Sequence, residues 1–141
     1  MQDLNPMHIS SRNRTAVWGM LGLAILVNVA GFTWDLYDRF EWFDEVLHAY
    51  TTFALTLPVV LLLYDVTLKG AHTYPVLFVL TAASLGVSIG VLWEIAEWAY
   101  DQMVPANAIL GKLDTIIDLA MDILGSIVAG IASVAMIRAK Q

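Results

Sequence analysis

The chain has 141 residues, 59% of them hydrophobic and only 14% charged, with a formal charge of −6; a water-soluble domain carries about 25% charge. The negative balance argues against nucleic acid and against a basic patch on an anionic lipid surface. The absence of cysteine excludes disulfides, thiolate metal sites, iron–sulfur clusters and covalent haem, and a mean hydropathy of +0.70, with the apolar residues in long blocks, gives an integral membrane protein.

Four runs reach the ~20 mostly apolar residues that a membrane helix needs. They are expected at about residues 16–33, 48–66, 74–98 and 115–137. The residues before the first run are polar. That run is too long and lacks the small-residue cleavage site of a signal peptide, so none is expected. Connections are short apart from residues 101–112, which hold Pro105 and Gly111. The expected fold is a single all-α domain over residues 1–141, an integral membrane four-helix bundle. Arg12 and Arg14, Lys69, and Arg138 and Lys140 fall on one side of it, against Arg39 and Lys112 on the other. The positive-inside rule then makes both termini cytoplasmic, in a multi-pass protein of the bacterial inner membrane.

The acids sort to the opposite end. Asp35, Asp38, Glu41, Asp44 and Glu45 lie between the first two spans, Glu94, Glu97 and Asp101 where the third exits, and Asp114, Asp118 and Asp122 where the fourth enters; only Asp3 and Asp65 lie elsewhere. His48 opens the second span. Asp44 and His48 share a helix face, as do Glu94 and Glu97, and as do Asp114, Asp118 and Asp122. Asp122 lies ~12 Å along the axis from Asp114, and an aspartate near the middle of a membrane helix costs roughly 2.5–3.5 kcal/mol on insertion scales. Asp44, Glu45 and Asp114 are placed where helix N-termini favour acids for structural reasons. Glu94 and Asp118 are too deep for that account.

Carboxylates and an imidazole on facing helices are the ingredients of a carboxylate-rich metal site in a bundle. Oxygen ligands suit Mg, Mn or Ca, and an imidazole admits Zn or Fe. The expected direct ligands of a divalent metal ion are Asp44, His48, Glu94 and Asp118. Glu97, Asp114 and Asp122 are further ligands or proton acceptors. So many carboxylates at close quarters must be neutralised by protons, by a cation or by a cationic partner.

Other features read as structural. Ala82, Gly86 and Gly90 on the third span, with Ser84 and Ser88 nearby, and Gly125, Ala129 and Ser133 on the fourth, allow close helix packing. Asn28 is expected to hydrogen-bond inside the bundle, and the inner halves offer little else that is polar. Trp34, Tyr37, Trp42, Trp93, Trp98 and Tyr100 suggest an aromatic belt at the membrane surface. A faint internal symmetry pairs "FDEVLH" with "LDTIID", and "LYD" with "AYD", as in a duplicated hairpin. No Ser–His–Asp set, phosphate loop or Cys/His metal motif is present.

"WEIAEWAYD" (93–101), followed by "LGKLDTIIDLAMDILGS" (110–126) and preceded by "FDEVLH" (43–48), resembles the YjdF-like family of small bacterial inner-membrane proteins. That resemblance implies a site at these motifs and names no reaction. The pattern also resembles VanZ-like proteins, in which the matching positions are Asp44 and His48, Glu94 and Glu97, Gly111 and Lys112, Asp118, Asp122 and Gly125. This chain departs by carrying Glu45 for Lys, Glu97 for Gln, Lys112 for Arg and Asp122 for Asn, which makes its site the more acidic one.

Three classes of function fit. The first is a site for a divalent cation facing the outer interface, acting on a lipid or lipid-linked headgroup if it is an enzyme. The second is a non-catalytic small subunit or assembly factor of a larger membrane complex, or a homo-oligomer. The third is cation or proton transport, which needs a polar route to the other side.

Overall fold

The computed structural model describes residues 11–40, 42–66, 74–104 and 111–138. Lys69, Lys140, Glu41, Asp3 and Pro105, and the side chains of Arg12 and Asp65, used in the sequence reading above, lie outside the described residues. All the regular structure within them is helical: α1 (Ser11–Thr33), α2 (Leu36–Arg39), α3 (Trp42–Val66), α4 (Pro75–Met103) and α5 (Lys112–Arg138). A backbone crossing hydrocarbon must satisfy every N–H and C=O within its own segment, and a helix does so. Four of these helices are long and apolar enough to span a membrane.

The helices begin earlier at the acidic end than hydropathy alone indicates. α3 starts at Trp42 and α5 at Lys112, because charged and amphipathic residues extend a helix past the hydrocarbon boundary into the interface. His48 therefore does not open its helix. It lies six residues inside α3, ~9 Å from its start. Asp35, in the left-handed conformation at φ 54°, turns the chain from α1 into α2, a conformation that a short polar side chain tolerates. Gly111, at φ 145°, precedes α5 in a conformation few other residues adopt. Its carbonyl accepts from the Thr115 N–H at 3.2 Å.

α3 and α5 form the most extensive helix contact, α4 packs on α5, and α1 rests on α3. α3 and α5 run parallel, and their inward faces match turn for turn. Asp44 and Asp114 are the third residues of their helices. His48 and Asp118, Thr52 and Asp122, and Thr56 and Ser126 follow at four-residue steps. The small residues bring the backbones together. A Cβ on Gly125 would run into the Ala49 backbone carbonyl, one on Gly86 into the Ser126 hydroxyl, and one on Gly90 into the Asp122 carboxylate. Ser84 and Ser88 instead face outward and bond back to the Leu80 and Ser84 carbonyls, at 2.9 and 2.8 Å.

At the end away from the acids, Val17, Leu57, Val60, Leu61, Phe78, Ala82, Ala129, Val134 and Ile137 make a buried apolar cluster. The buried polar residues, His48, Thr52, Thr56, Glu94, Asp118, Asp122, Ser126 and Ser133, lie along α3, α4 and α5, most of them toward the acidic end.

Candidate functional site

The site is built where the first turns of α3 and α5 meet the last turns of α4. A four-residue step turns each side chain to nearly the same face of its helix, so the Asp44–His48–Thr52 and Asp114–Asp118–Asp122 stripes face each other. Glu94 and Glu97 reach the same place from α4. His48 is 6% exposed, Glu94 7%, Asp118 2% and Asp122 1%.

His48 is the centre of the arrangement. Its Nε2 lies 3.7 Å from Asp44 Oδ1 and 3.9 Å from Glu94 Oε1. Its Nδ1 lies 3.3 Å from Asp122 Oδ1 on the opposite side of the ring. Asp44, His48 and Asp118 each offer a ligand atom within 4.8 Å of the others, and so do His48, Glu94 and Glu97. Of the expected residues, the structure thus brings Asp44, His48, Glu94, Asp118 and Glu97 together around the imidazole. Asp122 sits one turn deeper, and Asp114, half-exposed, belongs to neither group. Glu97 Oε1 accepts from the Trp93 indole at 2.7 Å, and the Thr115 side chain hydrogen-bonds the Glu94 carboxyl.

Several buried atoms here have no hydrogen-bond partner: His48 Nε2, Glu94 Oε1 and Asp118 Oδ1, and, one turn deeper and against Gly90, Asp122 Oδ2. A buried polar atom left without a partner costs about 1–3 kcal/mol, and more when charged. Separations of 3.7 and 3.9 Å are too long for hydrogen bonds. They are close to the roughly 3–3.5 Å between two ligands of one ion bound at 2.0–2.2 Å. Arg39 and Lys112, the cations nearest in sequence, are both exposed. Lys112 is the first residue of α5, three turns along the helix from Asp122.

Three groups were not legible as part of the site. Thr52 donates to Asp122 Oδ1. Asn28 belongs to this end and not to the inner half, because α1 carries it alongside α3. Its amide donates to Thr51 Oγ1 at 3.0 Å and to the Ala24 carbonyl at 2.9 Å. Tyr37 is turned inward instead of joining a surface belt, its hydroxyl donating to Asn28 Oδ1 at 3.3 Å and its ring packed edge-on against Phe43. Gly31 leaves room for that ring, since a Cβ there would strike it. Trp34, Trp42, Trp98 and Tyr100 are exposed, as a belt requires. Asn28, Tyr37, Asp44, His48, Trp93 and Asp122 help line a cavity of about 20 Å³ beside the imidazole, room for about one water.

Burial raises the Tyr37 phenol above its ordinary pKa of 10.0, and the charges of Asp44 and Glu97 add to the rise. The folded chain therefore favours the neutral phenol. The stability that Tyr37 contributes is fully present below pH 10.0 and falls as the pH rises through the folded value. A tyrosinate absorbance titration of native protein minus Tyr37→Phe should show this residue still protonated above pH 10.0. Ionisation at the ordinary value would contradict its placement.

A family model described as predicted membrane protein (DUF2238) matches residues 10–139. An uncharacterised protein of Thermotoga maritima (strain ATCC 43589 / DSM 3109 / JCM 10099 / NBRC 100826 / MSB8) is 36% identical over 103 residues, covering 71% of this chain and 52% of that protein. The chain thus spans about half the length of this curated relative. No solved structure matches. The family match runs from the start of α1 to the end of α5, through the whole helical bundle and every residue of the site, and the chain belongs to the DUF2238 family of predicted membrane proteins.

Proposed function

We propose that this membrane protein holds one divalent cation among Asp44, His48, Glu94 and Asp118, with Glu97 at the edge, on the side of the membrane away from the cytoplasm. One observation carries the reading. Three helices bury an imidazole that two groups of carboxylates share, Asp44 with Asp118 and Glu94 with Glu97, and His48 Nε2, Glu94 Oε1 and Asp118 Oδ1 have no hydrogen-bond partner there. Burying charge is costly unless it is paired or ligates a metal, and a divalent cation would satisfy these atoms together. The motif order that resembles YjdF-like and VanZ-like proteins falls on the same positions and names no reaction.

A cation held by these residues would supply a Lewis acid to polarise an oxygen or activate water. Glu97, half-buried beside it, is placed to take a proton. The oxygen-bearing group that reaches this level of a bilayer is a lipid or lipid-linked headgroup, and that is the substrate class we assign. A conducting path is disfavoured by the inner half. Below Thr56 and Ser126 the described residues of the bundle close into the cluster of Leu57, Val60, Leu61, Phe78 and Ala129, a plug with little to solvate an ion. Elemental analysis of the purified protein beside Asp118→Asn tests the proposal. Metal near one equivalent, lost in the variant, is the expected result, and a folded native protein that neither carries nor accepts metal would overturn it.

A further inference from the structure

The cation reading leaves Asp122 unexplained. It is 1% exposed, lies ~15 Å inside α5, and is outside both ligand groups. Its surroundings are built in detail. Thr52 donates to its Oδ1, and the Ser126 hydroxyl donates to its backbone carbonyl. Gly90 provides a notch in α4 that any Cβ would fill. The carboxylate so held faces His48 Nδ1 at 3.3 Å. An ionised carboxylate only accepts hydrogen bonds, and a neutral imidazole has one N–H and one lone pair. With the carboxylate on the Nδ1 side, the proton belongs on Nδ1. The lone pair is then on Nε2, the atom that faces Asp44 and Glu94 and has no hydrogen-bond partner.

Resting on the cation reading, we propose that Asp122 is a positioning residue. Seated by Thr52 and by the Gly90 notch, it accepts the Nδ1–H of His48, fixes the ring tautomer, and presents Nε2 to the cation without binding the cation itself. Metal-ligating histidines commonly donate their other N–H in this way, and losing the outer partner lowers metal affinity roughly 10–100-fold. An acid placed this deep, 1% exposed, thereby acquires a reason to be there.

The test uses protein labelled with ¹⁵N at histidine, the His48 signals being identified by their loss in His48→Ala. In chelator-treated native protein, at a pH where the imidazole is neutral, the directly bonded proton should be on Nδ1. In Asp122→Asn and in Thr52→Val, which leaves the carboxylate but removes its anchor, the tautomers should mix. In parallel, zinc affinity should fall roughly 10–100-fold in Asp122→Asn and less in Thr52→Val, while calcium affinity, resting on the other carboxylates, changes little. A proton on Nε2 in the native protein would overturn the proposal. So would an equal loss of zinc and calcium, which is the result expected of a direct ligand. Should the native protein bind neither metal, the cation reading and the role built on it fail, and the tautomer still shows whether the Asp122–His48 bond exists.

Discussion

Replacing Gly125 by alanine should lower the stability of the folded bundle by at least about 1–3 kcal/mol, the cost of overpacking a tight interface. The obstacle is backbone. A Cβ at this position would run into the Ala49 carbonyl oxygen, with the Ala49 carbonyl carbon at 3.0 Å and its Cα at 3.2 Å. No side-chain rotation relieves that, so α5 must move off α3 along the contact that holds the site. The two stripes of site residues would separate with it. Gly19→Ala and Gly22→Ala are the controls, since a Cβ on either meets nothing within 4 Å. There alanine should be neutral or stabilising by about 0.5–1 kcal/mol, the ordinary difference between the two residues in a helix. Reversible unfolding in mixed micelles, followed by helical signal, measures all three. Equal stability of Gly125→Ala and Gly19→Ala would show that α3 and α5 are not in backbone contact at this level.

His48→Ala should change which metal the protein prefers. The imidazole is the only nitrogen among the proposed ligands. Nitrogen suits zinc and iron, whereas calcium and magnesium are held by oxygen alone. Zinc affinity should fall by at least about tenfold, ~1.4 kcal/mol, while calcium affinity falls less or rises as the ring leaves room for water. Competitive titration of native protein and variant with both ions gives the ratio. An unchanged zinc-to-calcium ratio would place His48 outside the coordination sphere and leave it as a core histidine hydrogen-bonded to Asp122.

The long helices were legible because spans of hydrocarbon length admit little else, and the four-residue spacing of Asp44 and His48, and of Asp114, Asp118 and Asp122, announced which residues share a face. Helix ends were less legible. Hydropathy falls off at Trp42 and Lys112 although the backbone continues to coil, so His48 looked shallower than it is. Which residue meets which could not be read from spacing. Asp118 and Asp122 are one turn apart on the same face. Yet Asp118 offers a ligand atom beside Asp44 and His48, while Asp122 meets the Nδ1 side of the imidazole. Thr52 stands in a mostly apolar run, and nothing in the spacing of the acids marks it. Its role follows from the parallel pairing of α3 with α5, of which the likeness of "FDEVLH" to "LDTIID" shows only the first two turns. Tyr37 read as an interfacial aromatic because its inward turn depends on Asp35 adopting a left-handed backbone and on Gly31 being bare, neither of which hydropathy records.

The most direct measurement is the metal content of native protein purified in mild detergent without chelator, beside Asp118→Asn and His48→Ala. The account predicts close to one divalent ion per chain in the native protein, lost in Asp118→Asn whichever ion it is and lost in His48→Ala when it is zinc or iron, with all three still helical and monodisperse. A folded native protein that contains no metal and takes up none when zinc, manganese, magnesium, calcium or iron is supplied would contradict it. The buried carboxylates would then have to be neutralised by protons or by the basic residues of a partner.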